Sequence, residues 1–204
     1  MTRITMVIYS LDGGGAERVL VNLASGFLQR GHSVSVITLK RTADFYTLPE
    51  GTHRIALDVA GTSRNKVDAV YHNLRRITLV RRATLSTRPD VVIAFSDSTN
   101  VVTVLALTGT RIPVIITEHV DPAMLPPPNA IWRRLVRRIY PRAAKLVTVS
   151  KGVESRFEWL PAHKRQTIHN PLLLNGLNAS AARPCPPGEK CVMAMGRLVP
   201  VKGF

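Results

Sequence analysis

Ser10-Leu11-Asp12-Gly13-Gly14-Gly15-Ala16-Glu17-Arg18 is the stretch that decides the fold of this chain. An apolar, β-branched run at residues 4–9 precedes it, as in a buried strand, and a helical pattern follows it to about residue 27. Three glycines let the backbone approach a ligand closely, and the first amides of the helix are free to bind an anion or a sugar hydroxyl. A glycine turn that binds nothing fits the spacing equally well.

Two known phosphate-binding motifs are excluded at this turn. Arg18 stands where the third glycine of a dinucleotide fingerprint would fall, and no Gly-Lys-Ser/Thr follows, as a P-loop requires.

Strand and helix patterns alternate beyond the turn. They predict strands at 33–39, 53–59, 91–95, 112–117 and 145–149, and helices at 67–86, from 97 to about 107, around 132–140 and from 150 to 159. In the helix at 67–86 the apolar positions are Val70, Leu74, Ile77, Val80 and Leu85. This order predicts an α/β fold: a Rossmann-like, doubly wound, mostly parallel sheet with helices on both faces.

Polar residues follow two of the predicted strands. Ser96 comes after the strand at 91–95, and Glu118 and His119 come after the strand at 112–117. Because the carboxyl ends of parallel strands line the ligand crevice, we expect these residues to lie near Gly13–Gly15.

The chain is strongly basic, with 28 Lys and Arg against 13 Asp and Glu and a net charge of +15. The charge suggests contact with phosphates of an anionic membrane, a diphosphate substrate or nucleic acid, unless it reflects a generally basic proteome. A helix with Trp132, Leu135, Val136, Ile139 and Tyr140 on one side presents a basic side: Arg133, Arg134, Arg137 and Arg138. That side is either a solvated face or a face attracted to anionic lipid.

Cysteine content and hydropathy restrict the compartment. Cys185 and Cys191 form no metal-binding pattern, so we expect free thiols in a reducing environment and no metal site. No signal peptide and no apolar run of membrane-spanning length is recognisable.

Aromatic residues make up only 5% of the chain, which disfavours a stacking platform for single-stranded nucleic acid.

A linker divides the sequence into unequal parts. Glycine and proline at 176, 184, 186, 187 and 188 mark residues 175–189 as the linker, with one domain at 1–174 before it. Residues 190–204 read as one strand and the turn after it, so we expect a second domain that is truncated.

Five motifs in order carry a resemblance to a known family. They are Ser10–Arg18, Thr117-Glu118-His119, Thr148–Val153, Ile168-His169-Asn170-Pro171 and Gly196-Arg197-Leu198 with Lys202-Gly203. Together they resemble the family-four retaining glycosyltransferases of GT-B fold, especially those that extend polyprenyl-diphosphate-linked or lipopolysaccharide-type glycans.

The resemblance implies roles for several residues. Gly13, Gly14 and Gly15 would lie against the donor phosphates and sugar, His119 would contact the transferred sugar or the acceptor hydroxyl, and Glu118 would lie beside it. Arg197 and Lys202 would neutralise the leaving diphosphate, with no metal or other cofactor. We also expect Ser96, from its place after a strand, and Ser150 and Asn170, from the motifs, to lie at the acceptor site or the cleft, although capping and turn formation explain Ser150 and Asn170 as well.

The resemblance also implies an activity and a place in the cell. We expect transfer of a sugar, with retention, from a nucleotide-diphosphate donor to a glycan or polyprenyl-diphosphate-linked acceptor, by an enzyme peripheral to the cytoplasmic face of the membrane. The family's donor-site Glu-x7-Glu pair lies beyond residue 204, so we expect this chain alone to be inactive. The alternatives are a non-catalytic module that binds lipid diphosphate or anionic membrane and, on charge alone, a nucleic-acid-binding protein.

Overall fold

A computed structural model describes residues 1–41, 44–59, 66–124 and 129–171. The chain divides after Asn170, and the fold below is that of the Met1–Asn170 unit. The linker predicted at 175–189 and the strand predicted within 190–204 lie outside the described residues, as do Cys185, Cys191, Arg197 and Lys202.

Strands and helices alternate through the unit. The strands are β1 Arg3–Ile8, β2 Ser33–Thr38, β3 His53–Ala56, β4 Val91–Phe95, β5 Val114–Glu118, β6 Lys145–Thr148 and β7 Arg165–Thr167. The helices are α1 Gly15–Gln29, α2 Lys66–Ser86, α3 Asp97–Ala106, α4 Ala130–Ile139 and α5 Lys151–Ser155, with short 3-10 turns at Tyr140–Arg142 and Ala162–Lys164.

The strands form one parallel sheet in the order β3-β2-β1-β4-β5-β6-β7. In the register, Arg3 to Ile8 of β1 pair with Ser33 to Thr38 of β2, and Ile4 to Val7 pair with Val91 to Ala94 of β4. The strand order reverses between β1 and β4, which is where sheets of this kind bind ligands. The predicted α/β, doubly wound fold is confirmed, and each strand pairing is parallel.

Helices cover the two faces of the sheet with separate apolar clusters. On one face, Leu20 and Ala24 of α1 are buried against β1, β2 and β4. On the other, α2, α3, α4 and α5 pack together, burying Val80, Val101 and Ile139 among others. Strands buried on both sides explain the continuous apolar runs at β1 and β4.

Helix α2 departs from its sequence pattern. Ile77 and Val80 pack in the core as the periodicity predicts, but Val70 is 60% exposed, Leu74 59% and Leu85 40%. The predicted helix is present, but three of its five apolar positions are exposed, so they do not form one buried face.

The carboxyl-terminal part of the unit also differs from expectation. Helix α5 ends at Ser155 rather than near Trp159, and Phe157 and Leu160 after it are buried in the core. The short strand β7 was not predicted, because three residues are too few to show a period. None of the helices within the described ranges has the length and apolarity of a bilayer-spanning segment.

Candidate functional site

A pocket of about 540 Å³ opens at the carboxyl ends of β4 and β5. Its walls come from the β4–α3 junction at Ser96 and Asp97, the segment from Glu118 at the end of β5 to Ala123, the inner side of α4, and the residues after α5. The volume lies within the range of ligand pockets. The structure therefore brings Ser96, Glu118 and His119 together, as the sequence predicts.

Glu118 is a buried carboxyl group held by two side chains. Asn100 Nδ2 donates to Glu118 Oε1 at 3.0 Å, and the Tyr140 hydroxyl donates to the same oxygen. Burial outweighs both hydrogen bonds and raises the pKa of Glu118 to about 7. Since both bonds go to Oε1, Oε2 is the oxygen that carries the proton in the neutral form. Near neutral pH this carboxyl can therefore donate a hydrogen bond as well as accept one.

Asn100 and Tyr140 are parts of the site that sequence reasoning missed. Tyr140 reads as one more apolar position on its helix, and burial beside Glu118 raises the pKa of its phenol further above its usual value. Asn100 on α3 also donates to the Thr117 carbonyl at 3.0 Å. Asn100 directly follows Asp97, Ser98 and Thr99, so no local pattern distinguishes this fully buried amide from the polar residues before it.

His119 is held in one tautomer by its neighbours. The Thr117 hydroxyl donates to the Ala94 carbonyl at 2.9 Å, so it accepts a hydrogen bond from His119 Nε2 at 3.0 Å. The proton is therefore on Nε2. His119 Nδ1 is buried and has no hydrogen-bond partner among the described residues. Burial lowers the pKa of His119 to about 4, so the ring of this pocket-lining residue is neutral and its Nδ1 is an acceptor.

Aromatic stacking also restrains the side chains of His119 and Tyr140. The His119 ring stacks on Phe95 with centroids 5.6 Å apart, and Tyr140 stacks on Phe157 at 6.0 Å. Ser96 at the pocket wall has a φ of +72°, a conformation that costs a non-glycine residue energy and is characteristic of functional sites.

The four arginines of α4 are all exposed but do not share one environment. Arg133 and Arg137 line the pocket, whereas Arg134 and Arg138 do not. Arg156, after α5, lines it too. The opposite side of α4 packs as the sequence predicts, with Ile139 and Tyr140 buried and Trp132, Leu135 and Val136 against the core.

The glycine turn lies beside the pocket but does not line it. Gly13 to Gly15 follow β1, which is next to β4 in the sheet, so the turn and the pocket share one edge. A Cβ on Gly14 would lie 2.2 Å from Glu17 Oε2, so that carboxylate covers this part of the turn. An anion at the start of α1 would compete with Glu17 for the helix amides.

The remaining predicted residues lie at the same edge or outside the described ranges. The Ser150 side chain accepts a hydrogen bond from the Val153 amide at 3.2 Å and caps α5. Asn170 is exposed after β7. Neither lines the pocket, and Arg197 and Lys202 are not described. Within the described residues there is no group of three or more His, Cys, Asp or Glu that could hold a metal ion.

Comparison with known proteins gives a sequence relative and structural neighbours. A curated transferase of Campylobacter jejuni is 35% identical over 145 residues, covering 69% of this chain and 38% of its own length. Its name is GalNAc-α-(1→4)-GalNAc-α-(1→3)-diNAcBac-PP-undecaprenol α-1,4-N-acetyl-D-galactosaminyltransferase. This chain thus spans less than half of that relative.

Solved structures share the fold at low identity. The lipopolysaccharide outer core galactosyltransferase WaaB matches with a TM-score of 0.65 and 14% identity, over 85% of this chain and 47% of its own. Anabaena Alr3699/HepE in complex with UDP and glucose matches with a TM-score of 0.58 and 17% identity, over 86% and 46%.

The family assignment rests on a match along most of the chain. The model of Glycosyltransferase Family 4 matches residues 13–173, which run from the glycine turn to just beyond β7. These residues include Glu118, His119 and the other pocket-lining side chains. The chain belongs to glycosyltransferase family 4.

Proposed function

We propose that this chain is the acceptor-binding part of a retaining glycosyltransferase. Its donor is a nucleotide-diphosphate sugar, and its acceptor is a glycan or polyprenyl-diphosphate-linked glycan at the cytoplasmic face of the membrane. The family match supports sugar transfer, and the name of the Campylobacter relative, with its PP-undecaprenol acceptor, supports the acceptor class. The structure of HepE with UDP and glucose supports a nucleotide sugar.

The pairing of Glu118 with His119 in one pocket carries the proposal. Neutral His119 offers Nδ1 as an acceptor, and Glu118 when protonated offers a donor. Sugar hydroxyls need both kinds of partner. A hydroxyl bound at Nδ1 keeps its oxygen free to attack a donor sugar held opposite the pocket. His119 orients that hydroxyl, while Tyr140 and Asn100 keep Glu118 in place.

The donor side of the reaction belongs to residues beyond the described ranges. Arg197 and Lys202 would neutralise the charge that develops on the leaving diphosphate, so the reaction would proceed without a metal ion. Gly13, Gly14 and Gly15 would contact the donor phosphates and sugar. The chain alone would then bind acceptor and transfer no sugar.

Calorimetry and a turnover assay on residues 1–204 test this function. We expect a polyprenyl-diphosphate-linked glycan in detergent to bind, His119→Ala to weaken binding, and no nucleotide sugar to give measurable product. The control is Arg111→Gln, an exposed residue outside the pocket lining, which should bind as the wild type does. Turnover by the isolated chain, or absence of acceptor binding, contradicts the proposal.

A second candidate, a non-catalytic module for anionic membrane, is favoured by the exposed basic side of α4. Exposed Met124 and Ile131 lie near these arginines in sequence. Flotation on anionic vesicles, together with a duplex DNA titration at physiological salt, separates the possibilities. Binding to DNA without binding to vesicles contradicts both membrane-linked functions.

A further inference from the structure

Three arginines line the pocket, and their side chains are held by neighbouring residues to different degrees. Arg156 is held by Asp121, with Nε 3.1 and 3.3 Å from the two carboxylate oxygens and Nη2 3.2 Å from Oδ2. The Arg137 guanidinium lies 5.5 Å from the centroid of the Trp159 ring. Arg133 has no side-chain hydrogen bond or ion pair to any of the described residues.

The acidic residues of the pocket neutralise this cluster only in part. Asp121 is paired with Arg156, and Asp97 accepts a hydrogen bond from Trp132 Nε1 at 3.2 Å. The third carboxyl group is Glu118, whose burial raises its pKa to about 7, so it is half protonated near pH 7 and neutral at lower pH. His119 is neutral as well. While Glu118 is neutral, three arginines against Asp97 and Asp121 leave the pocket one positive charge. Neither Arg133 nor Arg137 has a carboxylate within ion-pair distance among the described residues.

Aromatic and aliphatic side chains form the rest of the pocket surface. Trp132, Val136, Phe157 and Trp159 line it beside the guanidinium groups. Exposed Val120 is also part of the lining, and it precedes Met124, which is 65% exposed. A ligand that fits such a pocket has an anionic group with several oxygens next to an apolar portion.

We propose that Arg133, Arg137 and Arg156 bind the diphosphate of the lipid-linked acceptor, while Arg134 and Arg138 face away from it. One guanidinium group can donate two parallel hydrogen bonds to two phosphate oxygens. A diphosphate has enough oxygens to accept hydrogen bonds from three arginines. The apolar walls would contact the first isoprene units. The inference rests on the proposed function because it assigns the pocket to the acceptor and not to the donor.

The two tryptophans of the chain make the pocket directly observable. Trp132 and Trp159 are its only tryptophans, and both line the pocket. Intrinsic fluorescence of residues 1–204 therefore reports ligand binding in the pocket. Because replacing Arg137 also changes the surroundings of Trp159, calorimetry is the second measurement of binding. The probes are farnesyl diphosphate, inorganic pyrophosphate and UDP.

A matched pair of double variants separates the two sets of arginines. Arg133→Gln/Arg137→Gln and Arg134→Gln/Arg138→Gln remove the same charge from the same helix. We expect the first to weaken farnesyl diphosphate binding about tenfold or more, because two charge-assisted contacts are lost, and the second to change it less than about twofold. Flotation on anionic vesicles should show the larger loss in the second variant.

Circular dichroism first has to show that both double variants are folded. The binding measurements then decide between the possibilities. Equal losses, or no loss in the first variant, overturn the arginine subsite. If the lipid-linked glycan still binds in that case, the acceptor-binding function survives. UDP binding the pocket more tightly than farnesyl diphosphate overturns the choice of occupant. Inorganic pyrophosphate binding as tightly as farnesyl diphosphate overturns the apolar contact.

Discussion

Glu118 and His119 are adjacent residues whose buried side chains respond to pH in opposite directions. Burial raises the pKa of Glu118 to about 7 and lowers the pKa of His119 to about 4. Between about pH 4.5 and 6.5 the unfolded chain has lost the Glu118 proton that the native state retains, so this residue makes stability fall as pH rises. In the same interval the unfolded chain holds a His119 proton that the native state lacks, so His119 makes stability rise. The two effects offset each other.

Replacing either residue should expose the effect of the other. In Glu118→Gln, which keeps an oxygen for Tyr140 and Asn100, the free energy of unfolding should rise with pH from about 4 to 6.5, by ~3 kcal/mol at most. In His119→Asn it should fall between about pH 4.5 and 7. The measurement is urea denaturation at a series of pH values. Parallel pH profiles for the wild type and both variants contradict the opposed pKa shifts.

The tautomer of His119 is separately testable. Because the Thr117 hydroxyl donates to Ala94, we expect the His119 proton on Nε2 and an unprotonated Nδ1. Long-range proton–nitrogen NMR spectra should show this state at pH 7, and the ring should stay neutral until the pH approaches 4. Thr117→Val removes the acceptor and should allow both tautomers. A wild-type ring protonated on Nδ1, or one titrating near pH 6.5, refutes the arrangement.

At the scale of elements, the glycine turn shows a position where glycine is required and one where it is not. Gly13 has a φ of +90°, and a Cβ there would lie 2.9 Å from the Phe45 ring. Gly15 begins α1, and a Cβ there would meet nothing within 4 Å. The first glycine is needed for the turn itself, whereas the third is open to a ligand.

Alanine at each position should separate these roles. We expect Gly13→Ala to lower the free energy of unfolding by about 1–2 kcal/mol, because an L-residue is strained at this φ. Gly15→Ala should be neutral or should stabilise by up to about 1 kcal/mol, because alanine favours helix. Chemical denaturation at one pH measures both. Equal stability of the two variants contradicts the assignment.

Elements with a clear period were predicted well from sequence, and contacts between distant residues were not. The runs at β1, β4 and β5 and the periodicity of α4 led to the correct sheet and core, because these elements are long enough to show their burial in sequence. The Glu118–Tyr140–Asn100 network joins β5, the end of α4 and α3, and no local pattern records such a contact. Likewise, the exposure of Val70 and Leu74 depends on where α2 lies over the sheet, which its own sequence does not specify.

At the scale of the molecule, the net charge of +15 and the exposed basic side of α4 predict binding to anionic surfaces. We expect flotation with anionic vesicles to fall steeply as salt rises above about 0.1 M, because screening lengths shrink below ~10 Å. Vesicles of neutral lipid are the control and should bind little at any salt concentration. Flotation independent of salt and lipid charge would show that apolar contacts dominate.

Because every strand runs in the same direction, the sheet has a ligand-facing edge and an opposite edge far from it. The exposed turn at Gly109 follows α3 and precedes β5, so it lies at that opposite edge. Gly109 itself has a φ of +81°, where another residue would be strained, but Arg111 two residues later is exposed and can be replaced for attachment. Such a turn is a natural place for a fluorophore, a surface tether or an inserted peptide tag. A chain immobilised there would present its pocket to solution, which makes it suitable for screening ligands on a sensor surface.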